Sequence, residues 1–224
     1  QASFEERVQL FWLENKKTIL LTCVLVLLIL VVKEGVLYYI AQREQAIGTA
    51  FAAAESNPDK LRTFANQNSG HKLAGLAWLS IGDEAFKAGK FTEAATAYEK
   101  AEPLVAGSAF AGRAQIGRAF SIVLGGDKAK AEDAFKKIVA DEKQAVITRS
   151  EARYHLALLA LEAGRIDDAR KALNEVQQGD ATGIWTQRAL AIQSTLPPEP
   201  VTTAPAETAT PAASDLKLSL PGAK

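Results

Sequence analysis

The chain has 224 residues, of which 48% are hydrophobic, and its 26 basic and 26 acidic residues leave no net charge at pH 7. This length accommodates one modest domain with attached segments. The balanced charge argues against a nucleic-acid partner, because nucleic-acid-binding surfaces are strongly basic. The single cysteine, Cys23, excludes an intramolecular disulfide and a cysteine-rich metal site.

The residues that usually carry catalysis or metal binding are sparse. The two histidines, His71 and His155, do not have the spacing of metal ligands. Dinucleotide-binding, phosphate-binding-loop and nucleophile-elbow motifs do not occur in the sequence. We therefore expect a protein that is not an enzyme, with no catalytic residue, no metal or other cofactor and no small-molecule substrate.

Residues 1–17 are predicted to form a short cytoplasmic amphipathic helix. Ser3 and Glu6 have the spacing of a capping box, which marks a helix start. Four apolar residues share one face of this helix: Phe4, Val8, Phe11 and Trp12.

Residues 18–40 are predicted to form a transmembrane helix. The first fifteen, Thr18 to Val32, carry no charge, and they would cover about 22 Å. Extension past Lys33 and Glu34 to Ile40 gives about 35 Å, enough for a hydrocarbon core of about 30 Å. A cleaved signal peptide is the alternative, but a short basic leader and a small-residue cleavage site are both missing.

The orientation of this helix follows from the basic residues beside it. Arg7, Lys16 and Lys17 precede the apolar run, and Lys33 and Arg43 follow it. The excess on the N-terminal side predicts a cytoplasmic N-terminus. We expect a single-pass protein of the bacterial inner membrane whose C-terminal domain is periplasmic.

Residues 42–195 contain a helix–turn–helix pattern that recurs. Gly89, Gly126 and Gly164 are 37 and 38 residues apart, and each follows one apolar helix and precedes a second, amphipathic one. Each glycine is predicted to end the first helix in the left-handed conformation. Three further columns align as small, bulky and apolar positions: Ala94, Ala131 and Ala169; Tyr98, Phe135 and Leu173; Ala101, Ile138 and Val176.

The regions on either side of the repeats are assigned by composition. Segments 42–55 and 58–68 are predicted to form a helical pair before the first unit, and segment 184–195 a capping helix after the last. Residues 196–224 are rich in Pro, Thr and Ala, and we predict that this tail is disordered. Its removal is expected to leave the thermal stability of the domain nearly unchanged.

The repeat resembles the tetratricopeptide repeat, whose Trp, Gly, Ala and aromatic positions are matched best in the first unit by Trp78, Gly82, Gly89, Ala94 and Tyr98. The predicted fold class is therefore all-α, with one N-terminal transmembrane helix followed by a tetratricopeptide-like α-solenoid of about three units and flanking helices. The units are longer than usual and lack the terminal proline. A generic helical bundle with coincidental glycine spacing is the alternative.

The order of the segments resembles the YfgM-like ancillary subunits of the bacterial Sec translocon. The similar stretches are VQLFWLENKKTILLTCVLVLL and LRTFANQNSGHKLAGLAWLSIGDEAFKAGKFTEAATAY. This resemblance implies a translocon-associated inner-membrane protein, with the Sec translocon and a membrane-anchored periplasmic chaperone as partners. The proline-rich tail departs from the family.

The first helix of each unit is expected to line a protein-binding groove, as it does in tetratricopeptide domains. Asp83 would be one polar member of this surface. The candidate groove residues are Leu76, Leu79, Phe86, Arg113, Ile116, Phe120, Val123, Tyr154, Leu158 and Leu161. An apolar groove suits an amphipathic helix or a nonnative chain. The alternative is that this surface is core, filled by the capping helix near Trp185.

The function expected from these features is that of a non-enzymatic, membrane-anchored protein-interaction module that assists chaperones and secretory proteins at the translocon. The alternative is a structural accessory subunit of another large membrane complex, held mainly by its membrane helix. At the residue level, we expect Ala94 at a close helix crossing and Ala97 nearer solvent, so that Ala94→Leu is the more destabilising of the two substitutions.

Overall fold

The computed structural model describes residues 3–198 and is all-helical in that range, with nine helices and no strand. The predicted tail lies outside the described residues except for its first three positions. The helices are α1 (Phe4–Ala54), α2 (Pro58–Gln67), α3 (Lys72–Lys87), α4 (Phe91–Ala101), α5 (Ala111–Leu124), α6 (Lys128–Ala140), α7 (Val146–Glu162), α8 (Ile166–Gly179) and α9 (Ile184–Gln193).

The first helix is a single continuous element of 51 residues, about 76 Å long. The predicted capping box is present, since Glu6 N–H donates to Ser3 Oγ and Ser3 N–H donates to Glu6 Oε2. Within the bounds of α1, the three segments predicted at 1–17, 18–40 and 42–55 run together as one helix. No proline interrupts them, and the residues after Ile40 are mostly good helix formers.

The apolar middle of α1 is exposed along its whole length, from Leu20 to Ile40. This helix is long and apolar enough to cross a membrane. Its last turns belong to the helical domain instead. Ala54 is buried there, and Ile47 and Phe51 pack against the core formed with α2 and α3.

The three predicted glycine turns are confirmed. Gly89, Gly126 and Gly164 have φ values of 73°, 93° and 74°. In each turn the residue after the glycine donates its N–H to a carbonyl five residues earlier, for example Lys90 to Ala85 at 2.9 Å. This is the Schellman arrangement, in which the turn satisfies carbonyls that the helix end leaves free.

The three predicted columns are also confirmed as core. The nine residues of the alanine, bulky and apolar columns are all at most 4% exposed. The buried face of α4 is wider than predicted, however. Ala97 is only 1% exposed, so its assignment to the solvent side is wrong. The reason is that α4 contacts both α3 and α5, so that two faces of this helix are covered.

Each domain helix contacts the next helix in the chain, and the odd-numbered helices from α3 onward also contact one another in sequence. Contacts link α3 with α5, α5 with α7, and α7 with α9. Among the described helices, α4 does not contact α6, and α6 does not contact α8. The odd-numbered helices from α3 onward therefore form a continuous layer, and α4, α6 and α8 lie on it separately.

The extra length of the first unit lies in the connection between α4 and α5, residues 102–110. Leu104 and Val105 in this loop pack on α3 at Gly75, where an added Cβ would lie 2.8 Å from each of them. The loop therefore contributes to the core.

The first prediction compares a buried and an exposed alanine of α6. Ala131 is fully buried and Ala129 is exposed on the same helix. We expect Ala131→Leu to lower the free energy of unfolding by about 1–3 kcal/mol, because three carbon atoms are added to a filled crossing. Ala129→Leu should change it by less than about 0.5 kcal/mol.

Denaturant unfolding of the full chain in mild detergent measures both variants. Alanine and leucine have similar helix propensities, so the difference between the two variants reports helix contact. Equal losses at the two positions would contradict the buried crossing at Ala131.

Candidate functional site

The junction between the first and second units is built around the ring of Tyr98. An added Cβ at Gly82 of α3 or at Gly117 of α5 would lie 2.8 Å from a ring carbon of Tyr98. The ring thus occupies a slot between two helices that only glycine leaves open. This arrangement places α3 and α5 on either side of one side chain of α4.

The hydroxyl of Tyr98 joins a polar group at this junction. It donates a hydrogen bond of 2.8 Å to Asp83 Oδ1, and the guanidinium of Arg113 donates to Asp83 Oδ2. Burial raises the pKa of Tyr98 above its ordinary value, and the hydrogen bond to Asp83 raises the pKa further. Tyr98 is therefore a fixed hydrogen-bond donor. Asp83 and Arg113, both expected in the groove, are partners of each other.

A small apolar pocket of about 130 Å³ lies where α5, α6 and α7 meet. Its lining is aliphatic and aromatic apart from His155 and Glu162, and Glu162 pairs with Lys128 of α6. The lining residues are Phe120, Val123, Phe135, His155, Leu158, Leu159 and Glu162. Three of them, Phe120, Val123 and Leu158, are predicted groove residues.

The imidazole of His155 is surrounded by aromatic rings. Its centroid lies 4.3 Å from that of Phe120, 5.5 Å from Phe135, 5.3 Å from Tyr154 and 5.6 Å from Trp185. The pairs with Phe120, Tyr154 and Trp185 are edge-to-face, and such pairs stabilise a cluster beyond the area they bury. The cluster joins α5, α6, α7 and α9.

Burial and, to a smaller extent, the positive charge of Arg188 together lower the pKa of His155 to about 4. The ring is therefore neutral near pH 7 and behaves as a polar aromatic residue. Within the described residues, no group of three or more His, Cys, Asp or Glu is placed to hold a metal ion.

The predicted groove residues are divided between the core and the surface. Leu79 and Ile116 are buried, so a partner could not reach them in this structure. Leu76 and Phe86 are half-buried against the first core cluster, and Leu161 is half-buried on α7. Arg113 is exposed.

The capping helix covers part of the predicted groove. Trp185 of α9 lies 5.4 Å from Tyr154, ring centroid to centroid, and both pack against the third core cluster. At the end of the third unit, the surface is therefore filled near Trp185, as in the alternative interpretation of the groove. The pocket beside His155 lies next to this filled region.

Sequence reasoning missed an exposed apolar surface at the start of α5 and α7. Phe110, Val146 and Ile147 are 44%, 44% and 55% exposed, and we call these three residues the apolar rim. An added Cβ at Gly112 of α5 would lie 2.5 Å from Thr148 Oγ1 of α7, so the two helices begin side by side. In the sequence, the rim is visible only as large apolar residues at two helix starts.

No protein-family model matches the chain, and no curated protein matches it. The fold and the sites described above are therefore the basis for a functional proposal. The pocket, the rim and the exposed apolar helix are its three structural elements.

The second prediction concerns the slot around Tyr98. Gly117→Ala should lower the thermal midpoint, because overpacking costs about 1–3 kcal/mol and outweighs a helix-propensity gain of about 1 kcal/mol. Gly48→Ala is the matched control, since its added methyl meets no atom within 4 Å on α1. It should leave the midpoint unchanged or raise it.

A double variant separates contact from propensity. In a Tyr98→Leu background the slot is no longer filled by a ring, so Gly117→Ala should cost less than in the unmodified chain. The same loss in both backgrounds would rule out the ring contact as its cause.

The third prediction concerns the pH dependence of stability. The folded pKa of His155, about 4, lies below its ordinary value of 6.5. Between these values the unfolded chain takes up a proton and the folded chain does not, so stability falls as the pH falls. The phenylalanine variant (His155→Phe) lacks this loss. We therefore compare the free energies of unfolding of His155→Phe and the unmodified chain as the pH is lowered from 6.5 to 4. The difference should grow in favour of the variant by less than about 1.4 kcal/mol per pH unit.

The comparison must separate His155 from carboxylates that titrate in the same range. Burial raises the pKa of Glu102 and of Glu151, and both residues are present in either chain. Trp185→Phe is the control, because it alters the same cluster without removing a titratable group. Parallel pH profiles for His155→Phe and the unmodified chain would contradict the buried neutral imidazole.

Proposed function

We propose that the protein is a membrane-anchored, non-enzymatic interaction module, with α1 as a single membrane span and α3 to α8 as about three tetratricopeptide-like units capped by α9. The observation that carries this proposal is the passage of an exposed apolar helix, without a break, into the core of a helical domain. Such a helix ties the domain to a membrane, and the domain carries the surfaces that can meet another protein.

Several features support the repeat architecture. The glycine turns, the buried alanine column and the buried bulky column recur at matching positions in all three units. The contacts between alternate helices, α3 with α5 and α5 with α7, are those expected when helix pairs stack in a row.

Two surfaces favour protein binding by the domain. The apolar rim exposes Phe110, Val146 and Ile147 at the adjacent starts of α5 and α7, and exposed apolar patches mark sites of protein contact. The pocket beside His155 could receive one apolar side chain from a partner that lies along α5 and α7. A helix or an extended nonnative segment would suit both.

The proposed setting is the bacterial inner membrane, with the N-terminus in the cytoplasm and the domain in the periplasm. The basic residues before the apolar stretch support this orientation. The resemblance to YfgM-like subunits suggests the partners, namely the Sec translocon and a membrane-anchored periplasmic chaperone, and a role in handling secretory proteins as they emerge.

A second function is favoured by the coverage of the third unit. Because α9 fills the surface near Tyr154, the predicted groove is closed at the end of the third unit. The accessory-subunit alternative needs no open groove, since the exposed apolar face of α1 would hold the protein in a larger complex.

The fourth prediction separates these two functions by photocrosslinking in intact cells. A benzoylphenylalanine residue is placed at Ile147 in the rim, at Val26 in the membrane helix, or at Thr96, an exposed control position on α4. An interaction module should form adducts with translocon, chaperone or secretory chains from Ile147 and none from Thr96. Adducts from Val26 alone would favour the accessory subunit, and equal adducts at Ile147 and Thr96 would contradict a specific rim.

A separate labelling experiment tests the orientation. Ser56→Cys is combined with Cys23→Ser, so that one cysteine remains, directly after α1. A membrane-impermeant maleimide should label Ser56→Cys from the periplasmic side of intact cells. Labelling only after the inner membrane is opened would contradict the periplasmic domain and the translocon setting together.

A further inference from the structure

A second, more polar pocket lies where α1 leaves its apolar stretch and meets the domain. It has a volume of about 440 Å³ and is formed by α1 together with the loop between α2 and α3. Tyr39, Ile40, Arg43 and Glu44 of α1 line one side, and Ser69 and His71 line the other. These residues belong neither to the pocket beside His155 nor to the apolar rim.

The pocket lies just beyond the apolar stretch of α1, at the height where lipid headgroups would surround a membrane-spanning helix. The exposed apolar residues of α1 end at Ile40, and Glu44 follows one turn later, about 6 Å along the axis. The headgroup layer on each face of a bilayer is about 5–7 Å thick. When the apolar stretch of α1 lies in the hydrocarbon core, Arg43, Glu44 and the loop lie at the depth of phosphate and headgroup atoms.

The pocket offers one positive and one negative group. Arg43 is exposed and forms no ion pair with another described residue. Glu44 Oε2 lies 2.9 Å from His71 Nε2, and the N–H of Leu73 donates to His71 Nδ1 at 3.1 Å. With Nδ1 engaged by the Leu73 N–H, the ring turns Nε2 toward Glu44 and orients its carboxylate.

We propose that this pocket binds the headgroup of a phospholipid of the phosphatidylethanolamine class. The phosphate is held by the guanidinium of Arg43, which binds phosphate oxygens through several N–H groups, with the hydroxyl of Ser69 as a further donor. The primary ammonium of the lipid donates to Glu44. A choline headgroup has no N–H to donate, and a glycerol headgroup has no cation for the carboxylate.

This inference rests on the membrane span in the proposed function, and it depends neither on the protein partner nor on which side of the membrane the domain occupies. Either leaflet would present the same headgroups to the pocket. Loss of the partner hypothesis would therefore leave it intact.

The test measures which lipids the full chain retains. The protein is reconstituted in bilayers with equal amounts of phosphatidylethanolamine, phosphatidylcholine and phosphatidylglycerol that carry the same acyl chains. The lipids that stay bound after transfer to mild detergent are counted by native mass spectrometry. We expect phosphatidylethanolamine to be retained about threefold to fivefold over the other two, the effect of one partly exposed charged contact.

Variants locate the effect in the pocket. Glu44→Gln should abolish the preference, whereas Arg43→Gln should lower the retention of all three lipids, because each of them carries the phosphate. In the Glu44→Gln variant the side-chain amide oxygen can still accept a hydrogen bond from His71, so the local structure is kept. Lys60→Gln removes an exposed cation of α2 outside this pocket and should leave the preference unchanged.

Each contrary outcome has a distinct meaning. Equal retention of the three lipids, a preference that survives Glu44→Gln, or unchanged lipid retention by Arg43→Gln overturns the headgroup site while the membrane span stands. Retention of phosphatidylglycerol over the others also overturns it, because an anionic lipid is then selected without an ammonium. A chain that fails to insert in the bilayer overturns the span and the headgroup site together.

Discussion

The three helix pairs α3–α4, α5–α6 and α7–α8 each depend on a turn that only glycine adopts without strain. At Gly89, Gly126 and Gly164 the positive φ ends one helix and lets the next begin within three residues. The fully buried alanine five residues later then lies against the preceding helix. Because turn and crossing are separated by a fixed number of residues, the turn sets which face of the second helix enters the core. The slot around Tyr98, the aromatic cluster and the pocket all follow from that register.

This dependence explains why the sequence was informative about the units. Left-handed turns and small crossing residues are local requirements, so they are visible as residue types at constant spacing. The three buried columns, of which Ala101, Ile138 and Val176 form one, can be read directly from this spacing. The continuity of α1 was harder to foresee, because the charges at Lys33 and Glu34 and the change of composition after Ile40 indicate a new environment, and a helix can pass from one environment to another unbroken.

The spacing of apolar residues along one helix does not reveal how many other helices pack against it. Ala97 lies off the main apolar stripe of α4, which predicts solvent exposure, but α5 covers that side as well. The same limit applies to Leu79 and Ile116, which are core residues although the repeat pattern places them on the helix that should line a groove. The cluster around His155 and the rim at Ile147 require the relative positions of α5, α7 and α9, which no periodicity contains.

The unbroken course of α1 has a consequence for how the domain meets other molecules. A domain on a flexible linker explores a volume that grows with linker length. Here Ile47, Phe51 and Ala54 fix the domain to the same helix that carries the apolar stretch. In the proposed membrane setting, the height and tilt of the domain above the bilayer are therefore preset. What remains is rotation about the helix axis and lateral diffusion in the plane. An encounter with another membrane protein becomes a two-dimensional search in which less orientational freedom is lost on association, and a matching surface on that protein has to lie at the same level above the lipid.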